Sequence, residues 1–570
     1  MRRFLATVVF AVIISTILPD PAVAQAPTPK VTLSGLFDQV TSAGRNFYDG
    51  NLARNSDQEW YARTRFRPDF EFAVGRVKAV LGLEIDLQYG QAGPNDGGFP
   101  TNNTGLPGGS GGTGVPTGGC KVNTNGCLDL NTDVGGMIEV KWIYTEFPLT
   151  GKDSLMPFIP VETLARAGGQ PFATLATYKL AAFAASDFAG ISTITTFAPN
   201  LRSNLTWVIV EDELAGANRG NPSLKTGRGE DFALIFAPEY SPVKGLDLKP
   251  MYTWFHADGI TSIAARRNLV NVRTVGGVYG NGASMAPPTN PPAAGSPAYH
   301  EDRHTIGIDA RWRIGSFGLD PTFFYQWGRV DNQAFDDGPG ANGVGSKKVT
   351  ADLSAFLIDI TASYQLGPLL LELRGDYSTG NKARDNLAKG IRHFQPLSTD
   401  GIYYAGWAQM MALGVDYFNG VSMGGLGQHI GYDRYGRAQL GFRATYTFAP
   451  PLSAYFTVSP TWTAEKVDTD TNSGLVPGAV GLTVGRTTVS NNSWVSGDSS
   501  YLGTEMNLGM TWRFAPNAAF DLVGAWLAAG SAQDTAECVG GAPGTCAGGT
   551  VVKKDAKDAY TVAARVRLAF

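Results

Sequence analysis

The sequence predicts an all-β protein, a transmembrane antiparallel up-and-down β-barrel of about 18 strands. Three observations predict this fold. Segments in which apolar and polar residues alternate recur from Val31 to the end of the chain. The connections between these segments alternate strictly between short and long. Beyond the N-terminus no apolar run reaches the roughly 18 residues of a membrane-spanning helix, so strands must carry the apolar surface.

The first 24 residues have the organisation of a secretory signal peptide. Arg2 and Arg3 precede an apolar run, 4–18, and the small residues Ala22 and Ala24 follow it. A basic start, a short apolar segment and a small-x-small exit are typical of a cleavable signal. We therefore expect residues 1–24 to be removed and residues 25–570 to form a barrel in the bacterial outer membrane.

The alternating segments give the order of the barrel. They begin near Val31, Glu59, Val77, Val134, Leu155, Asp187, Asn200, Glu230, Gly245, Glu301, Gly318, Val349, Pro368, Tyr435, Pro451, Ser499, Asn517 and Asp558. Short connections such as 75–76 and 150–154 predict tight turns on the periplasmic rim, and long ones predict extracellular loops. Whether the longest loops, such as 378–434, occlude the pore is left open.

The second segment indicates which face of the strands meets lipid. Apolar and aromatic residues share one face, and Arg63, Arg65 and Arg67 share the other. An arginine at the bilayer midplane costs about 2–4 kcal/mol, so the arginine face must point into the lumen. The same reasoning predicts a lumen lined by Arg63, Arg65, Arg67, Arg311, Arg313, Arg374, Arg443, Arg513, Arg565, Arg567, Glu84 and Asp86.

The distribution of the predicted lumen arginines suggests a selectivity role. A barrel closes between its last and first strands, so the arginines of segments 14, 16, 18 and 2 come to one side of the wall. Guanidinium groups stay charged and bind planar oxyanions in a bidentate manner, which predicts an arginine-rich wall that attracts anions. The alternative is that these arginines pair with Asp69, Glu71, Glu84 and Glu505 and only brace the lumen.

The last segment carries an apolar face from Tyr560 to the terminal Phe570, with Arg565 and Arg567 on the opposite face. It resembles the closing strand of bacterial outer-membrane β-barrels. In those proteins the terminal Phe is part of the signal that the barrel-assembly machinery reads. The resemblance implies that outer-membrane lipid and the assembly machinery are partners of this chain.

A local signature extends the resemblance to one family. The stretches 373–380 (Leu-Arg-Gly-Asp-Tyr-Ser-Thr-Gly), 394–397 (Phe-Gln-Pro-Leu) and 403–407 (Tyr-Tyr-Ala-Gly-Trp) resemble the alginate-export-type porin family. That resemblance implies an eighteen-stranded barrel with a cationic lumen. The family's name member exports an anionic polysaccharide, and nothing in this sequence identifies alginate as the cargo.

Other chemistry is sparse in the sequence. Cys120 with Cys127 and Cys538 with Cys546 form local pairs in Gly-rich loops of an exported chain, which favours disulfides over free thiols. The run 300–304 contains two histidines and two acids, but residues four apart on a strand lie well separated, so we expect no metal there and no cofactor. No catalytic nucleophile motif occurs, so we expect no enzyme, and the net charge of −4 argues against nucleic acid.

Taken together, these features predict a porin that passes small hydrophilic solutes or anionic substrates. The alternatives are a dedicated exporter of an anionic polysaccharide, a barrel that sheathes a partner protein, and an outer-membrane hydrolase. The sequence leaves open whether the barrel is a monomer or a trimer.

Overall fold

The computed structural model describes twelve portions of the chain. They are 28–46, 58–89, 138–172, 186–212, 230–259, 299–334, 347–382, 385, 390–397, 435–467, 497–539 and 550–570. The predicted signal peptide, 1–24, and most of the long loops lie outside these residues. No helix within the described portions is long and apolar enough to cross a membrane.

Eighteen strands, numbered β1–β18 in chain order, form the barrel. They are Lys30–Arg45, Gln58–Val74, Val77–Tyr89, Ile138–Thr150, Glu162–Phe172, Ser186–Ala198, Leu201–Asp212, Glu230–Val243, Leu246–Gly259, Tyr299–Ile314, Phe317–Ala334, Lys347–Leu366, Leu369–Ser378, Arg437–Ala449, Leu452–Val467, Ser499–Ala515, Ala518–Ala529 and Ala559–Ala569. Each strand pairs with its neighbours in the chain, and every barrel pairing is antiparallel. Three minor elements accompany the barrel within the described residues: a short strand at Gly390–Ile391, a 3-10 helix at Ser531–Gln533, and a hairpin of Thr535–Val539 with Thr550–Lys554.

The barrel closes because β1 pairs with both β2 and β18. The β1–β18 register runs from Leu36 opposite Ala569 to Arg45 opposite Tyr560. Beyond the last strand residue, the Gly35 amide donates to the Phe570 carbonyl at 2.9 Å and the Phe570 amide donates to the Gly35 carbonyl at 3.1 Å. This closure leaves no unpaired edge between the ends of the chain. The predicted fold class, an antiparallel barrel of about 18 strands, is therefore confirmed.

Tight turns join the strands on one rim, where both ends of the barrel chain also lie. Apart from the β4–β5 connection, every turn on this rim contains two residues. Gly75, Gly245 and Asn517 have φ values of 60°, 87° and 61°, so one central residue of each of these two-residue turns is in the left-handed conformation. Glycine and asparagine adopt this conformation most readily, which explains their position in these turns.

The structure corrects two expectations about strand residues. Leu155 does not begin β5, which starts at Glu162; Pro157 and Pro160 interrupt the segment, and proline cannot donate to a strand ladder. Alternation along β16 places Leu502 on the same outer face as Leu508 and predicts that it faces lipid, but Leu502 is 1% exposed. The register shifts between Thr461 and Trp462, so Leu502 is the extra residue of a bulge and its side chain leaves the outer face.

The two faces of the barrel wall differ in chemistry. Large apolar side chains on the outer face are exposed, among them Ile306 on β10, Leu508 on β16 and Val562 on β18. The alternate residues face inward and are largely buried. Many are charged or polar on β1–β3 and β13–β18, although β17 also buries Val523 and Leu527, whereas on β6–β12 many are apolar and form a buried cluster.

Candidate functional site in the barrel lumen

A chain of ion pairs crosses the seam where the barrel closes. Asp38 on β1 lies 3.9 Å from Arg63 on β2 and 4.0 Å from Arg565 on β18. Arg565 also contacts Asp521 on β17 at 3.3 Å, and Arg567 contacts the same carboxylate at 2.7 Å. Because β18 follows β1 around the wall, residues from opposite ends of the sequence form one charged row.

Glu84 on β3 is a second centre of charge. Its carboxylate lies 3.0 Å from Arg65, 2.7 Å from Arg67 and 3.2 Å from Lys141 on β4. One buried carboxylate therefore contacts three cations. Asp86 lies opposite Arg65 in the β2–β3 register, and its side chain lies outside the described part of the structure.

The remaining predicted lumen arginines are in three different settings. Arg374 makes a bidentate contact with Asp359, 2.7 Å and 3.1 Å, and is buried. Arg443 lies 4.0 Å from Glu372, with its guanidinium 4.4 Å from the centre of the Tyr455 ring. Near the periplasmic ends of their strands, Arg313 pairs with Asp320, Arg311 is half-buried and Arg513 is exposed.

In most of these pairs the cation is more exposed than its carboxylate, whereas Arg63 and Asp38 are equally buried. The side chain of Arg67 is 31% exposed and that of Glu84 is 5% exposed. For Arg567 and Asp521 the values are 36% and 6%. The carboxylates therefore lie against the wall and the guanidiniums extend over them toward the enclosed water. The N–H groups of Arg67 and Arg567 are therefore more accessible than the carboxylates with which they pair.

A segment of the long loop after β13 folds into the barrel and lies against the opposite, apolar part of the wall. The short strand Gly390–Ile391 runs parallel to β12 beside Asp352 and Leu353. Phe394 is fully buried and stacks on Phe324 of β11, with 6.3 Å between the ring centres. The described portion of the loop thus occupies lumen space next to β10–β12.

Reciprocal hydrogen bonds attach this loop segment to the wall. The Gln395 amide donates to Gln326 Oε1 at 2.8 Å, and Gln326 Nε2 donates to the Gln395 carbonyl at 2.7 Å. Arg303 of β10 also donates to the Gln395 carbonyl at 3.0 Å and to its side-chain oxygen at 2.9 Å. Each of these groups is buried, so the bonds fix the segment in a single position.

Asn381 organises the start of the same loop. Its side-chain oxygen accepts hydrogen bonds from the Arg392 amide at 2.8 Å, the His393 amide at 3.2 Å and His393 Nδ1 at 3.0 Å. Its Nδ2 donates to the Gly390 carbonyl at 3.0 Å. One side chain therefore satisfies several backbone groups of a loop that would otherwise be left unpaired inside the barrel.

Sequence reasoning missed several residues of this site. Asp38, Gln326 and Asn381 carry no local motif, because their roles depend on strands and loops that are distant in sequence. The stretch 394–397 was part of the family signature in the sequence. Its Phe394 and Gln395 are the residues that hold the loop inside the barrel. The expected disulfides lie outside the described side chains, so both pairings stay predictions.

A closed antiparallel barrel with an apolar outer face and a polar inner face defines a class of protein. In a bilayer the backbone N–H and C=O groups of every spanning segment must be hydrogen-bonded within the protein, and only helices and closed barrels achieve this. Barrels of this kind belong to the bacterial outer membrane, so the protein is an outer-membrane β-barrel.

Comparisons with known proteins find only distant structural similarity. No protein-family profile matches the chain, and no curated protein matches it in sequence. Solved structures with a similar fold include Acinetobacter baumannii OccAB4, at 10% identity, covering 96% of this chain and 99% of that chain, with a TM-score of 0.44. A BenF-like porin from Pseudomonas fluorescens is 9% identical, and the match covers 95% of this chain and 98% of that chain with a TM-score of 0.44. The outer membrane protein OprD from Pseudomonas aeruginosa is 11% identical, and the match covers 97% of each chain with a TM-score of 0.41.

Identities and TM-scores this low carry no information about function. The architecture is established by the strand register of this chain, and the side chains of the lumen are the basis for its function. The alginate-export-type resemblance of the sequence stays a prediction.

Proposed function

We propose that the protein is an outer-membrane channel for small hydrophilic solutes and that it prefers anions, in particular those that bear carboxylate groups. The observation that supports the preference is the layering of charge on the wall formed by β17, β18 and β1–β4. The acids Asp521 and Glu84 lie at the wall, and the arginines that pair with them extend farther into the lumen.

The energetics of this layering favour oxyanions without trapping them. A guanidinium whose one side pairs with a wall carboxylate keeps other N–H groups for a second, bidentate partner. The wall carboxylates neutralise much of the positive charge, so a passing anion binds weakly enough to leave again. Binding that is favourable and weak at several successive positions is what conduction requires.

Ion selectivity in a planar lipid bilayer tests the proposal. The purified, refolded barrel is placed under a KCl gradient, and we expect a reversal potential with the sign of chloride preference. Succinate added on one side should reduce the chloride current, because its carboxylates occupy the arginines. The double variant Arg67→Gln, Arg567→Gln should lose most of this preference while the channel stays open.

Arg76→Gln provides the matched control. Arg76 is an exposed arginine in the periplasmic β2–β3 turn, where it pairs with Glu162 at 2.9 Å. We expect its removal to leave the reversal potential unchanged. A cation preference of the unmodified channel, or an equal effect of the control variant, would overturn the anion proposal.

A second candidate function is the export of an anionic polysaccharide. The location of the signature residues Phe394 and Gln395 inside the barrel favours it, because a loop held in the lumen can contact a chain in transit. Polyuronate oligomers distinguish the two functions. An exporter should show concentration-dependent current block by these oligomers, whereas a channel for small solutes should be blocked by succinate and not by the longer chains.

A further inference from the structure

Two histidines and an aspartate meet on the outer face of β9 and β10. Asp302 on β10 is the direct partner of His256 on β9 in the antiparallel register. His300 precedes Asp302 by two residues and therefore shares its face of the sheet. Directly opposed residues bring their Cβ atoms within about 4.5–5.5 Å, so the backbone alone assembles the trio.

The side chains of the trio already converge on one another. His256 Nδ1 lies 2.8 Å from Asp302 Oδ1, and His300 Nε2 lies 3.0 Å from Asp302 Oδ2. One donor atom from each residue falls within a common span of 4.8 Å. We propose that His256, His300 and Asp302 form a binding site for a divalent transition-metal ion such as Zn²⁺.

The distances suit this class of ion. Zinc binds imidazole nitrogen at about 2.0–2.1 Å and carboxylate oxygen at about 2.0–2.2 Å, so neighbouring ligand atoms on one ion lie roughly 3.0–3.4 Å apart. The observed nitrogen–oxygen distances of 2.8 and 3.0 Å are close to that spacing. Small side-chain rotations would therefore let all three residues share an ion, with water in the remaining positions.

The chemistry of the ligands selects against the common hard cations. Ca²⁺ and Mg²⁺ prefer sites made entirely of oxygen ligands, whereas imidazole favours zinc, copper and nickel. Two imidazoles and one carboxylate therefore predict a transition metal. The trio is half-buried, so an ion in solution can reach it.

Surrounding residues hold two of the three ligands, Asp302 and His256, in place. Trp254 Nε1 donates to Asp302 Oδ1 at 3.0 Å, and the His256 ring packs against Phe232 with 5.2 Å between ring centres. Such outer contacts orient metal ligands and raise affinity. Arg329 is the residue opposite Asp302 on β11. It donates a hydrogen bond to Thr350 Oγ1 of β12 at 3.2 Å.

The position of the trio defines where an ion would bind. It lies within a few residues of the ends of β9 and β10 on the long-loop rim. The next residues toward the membrane on the same face are aromatic or stack on aromatics, namely Trp254, Tyr252 and His304. Aromatic residues of barrels gather at the membrane interface, so the site is in the water and headgroup layer on the extracellular side.

Zinc titration of the full-length protein tests the proposal. The protein is prepared without a polyhistidine tag, stripped of metal with a chelator and titrated with Zn²⁺ in detergent micelles. We expect one ion to bind, and we expect His256→Gln and Asp302→Asn to weaken binding by about tenfold or more. Excess Ca²⁺ should not displace the ion.

His304→Gln is the matched control. His304 lies on the same strand and face as His300, but its Nδ1 is 2.9 Å from the Tyr252 hydroxyl and its ring stacks on Trp327. Its replacement should leave zinc affinity unchanged. The proposal is overturned if all variants bind like the unmodified protein, if the control loses affinity equally, or if Ca²⁺ displaces the ion.

X-ray absorption of the zinc-loaded, unmodified protein decides the question without any variant. We expect scattering from two imidazole rings and from oxygen in the first coordination shell. Sulfur in that shell would assign the ion to cysteines, and fewer than two imidazoles would remove the trio as its ligands. Either spectrum would contradict the proposal, even if the variants failed to fold.

Discussion

The charges of the lumen depend on a few buried carboxylates. Glu84 and Asp521 each contact more than one cation and are almost completely buried. Removing one partner from a buried ion pair is costly, because the charge that remains has lost both its water and its counter-charge. At the scale of single residues, therefore, the carboxylates carry the stability of the wall and the arginines carry its contact with solutes.

Glu84→Gln tests this division of roles. The variant keeps the shape of the side chain but leaves Arg65, Arg67 and Lys141 without their shared counter-charge. We expect the free energy of unfolding to fall by about 3–5 kcal/mol in a denaturant titration in lipid vesicles. We also expect the reversal potential to shift further toward anion preference, because a negative charge has been removed.

Glu162→Gln is the control for this variant. Glu162 pairs with Arg76 at 2.9 Å, but both side chains are exposed in the periplasmic rim. Exposed pairs contribute about 0–1 kcal/mol, so unfolding should change little. If the two variants were equally stable, the buried carboxylate would have no special role in the wall.

Sequence alternation was enough to predict which face of a strand carries arginines, but not what those arginines contact. Arg63 and Arg565 meet at Asp38 only because the last strand returns to the first. The metal trio shows the same limit. The run 300–304 was visible in the sequence, yet its partner His256 comes from the neighbouring strand across a long loop, and only the register brings it opposite Asp302.

At the scale of secondary-structure elements, periodicity and turn residues predicted most strand positions well. The expected starts at Val77, Glu230 and Ser499 coincide with the observed ones. The exception that can be assessed within the described residues is β5, where apolar residues suggested a strand and the prolines at 157 and 160 prevented it. The residue at which β4 was expected to begin, Val134, lies outside the described portion.

The loop segment that lies in the lumen depends on few contacts, and Gln326→Ala should release it. The variant removes both reciprocal hydrogen bonds to the Gln395 backbone. We expect the loop to dock less stably by about 1–3 kcal/mol, because a buried carbonyl and amide lose their partner. Single-channel recordings should show a larger and noisier conductance.

Gln365→Ala is the comparison for the loop variant. Its Nε2 donates to the Gly367 carbonyl at 2.7 Å in an exposed periplasmic turn, far along β12 from the loop. We expect its conductance to match that of the unmodified channel. An unchanged conductance of Gln326→Ala would mean that residues 390–397 do not restrict the conducting path.

The closing seam predicts that Gly35 accepts no side chain. A Cβ at this position would lie 2.9 Å from Phe570 Cζ and would collide with the Arg67 carbonyl oxygen. We expect Gly35→Ala to lose about 1–3 kcal/mol of stability and to refold in lower yield, measured by the heat-dependent mobility of the barrel on gels. Gly375→Ala is the control, since a Cβ there has nothing within 4 Å. Equal yields would show that the seam is more loosely packed than the structure indicates.

At the scale of the whole molecule, selectivity cannot come from total charge. The chain carries a formal charge of −4, which would repel anions if the charges were spread evenly. The proposed anion preference depends on order instead, with apolar side chains toward lipid, carboxylates at the inner wall and arginines over them. This order requires that β2 and β18, which carry the arginines of this wall, keep the same facing along their paired length, because a slip by one residue would exchange the two faces.

The facing of β18 gives the most direct test of this central claim. Single cysteines are introduced at Val566, Arg567 and Leu568, with the natural cysteines replaced by serine, and each is spin-labelled in the refolded barrel in lipid vesicles. We expect labels at Val566 and Leu568 to collide with oxygen, which concentrates in lipid, and the label at Arg567 to collide with a water-soluble nickel chelate. Accessibility without this alternation, or a lipid-exposed label at Arg567, would contradict the account.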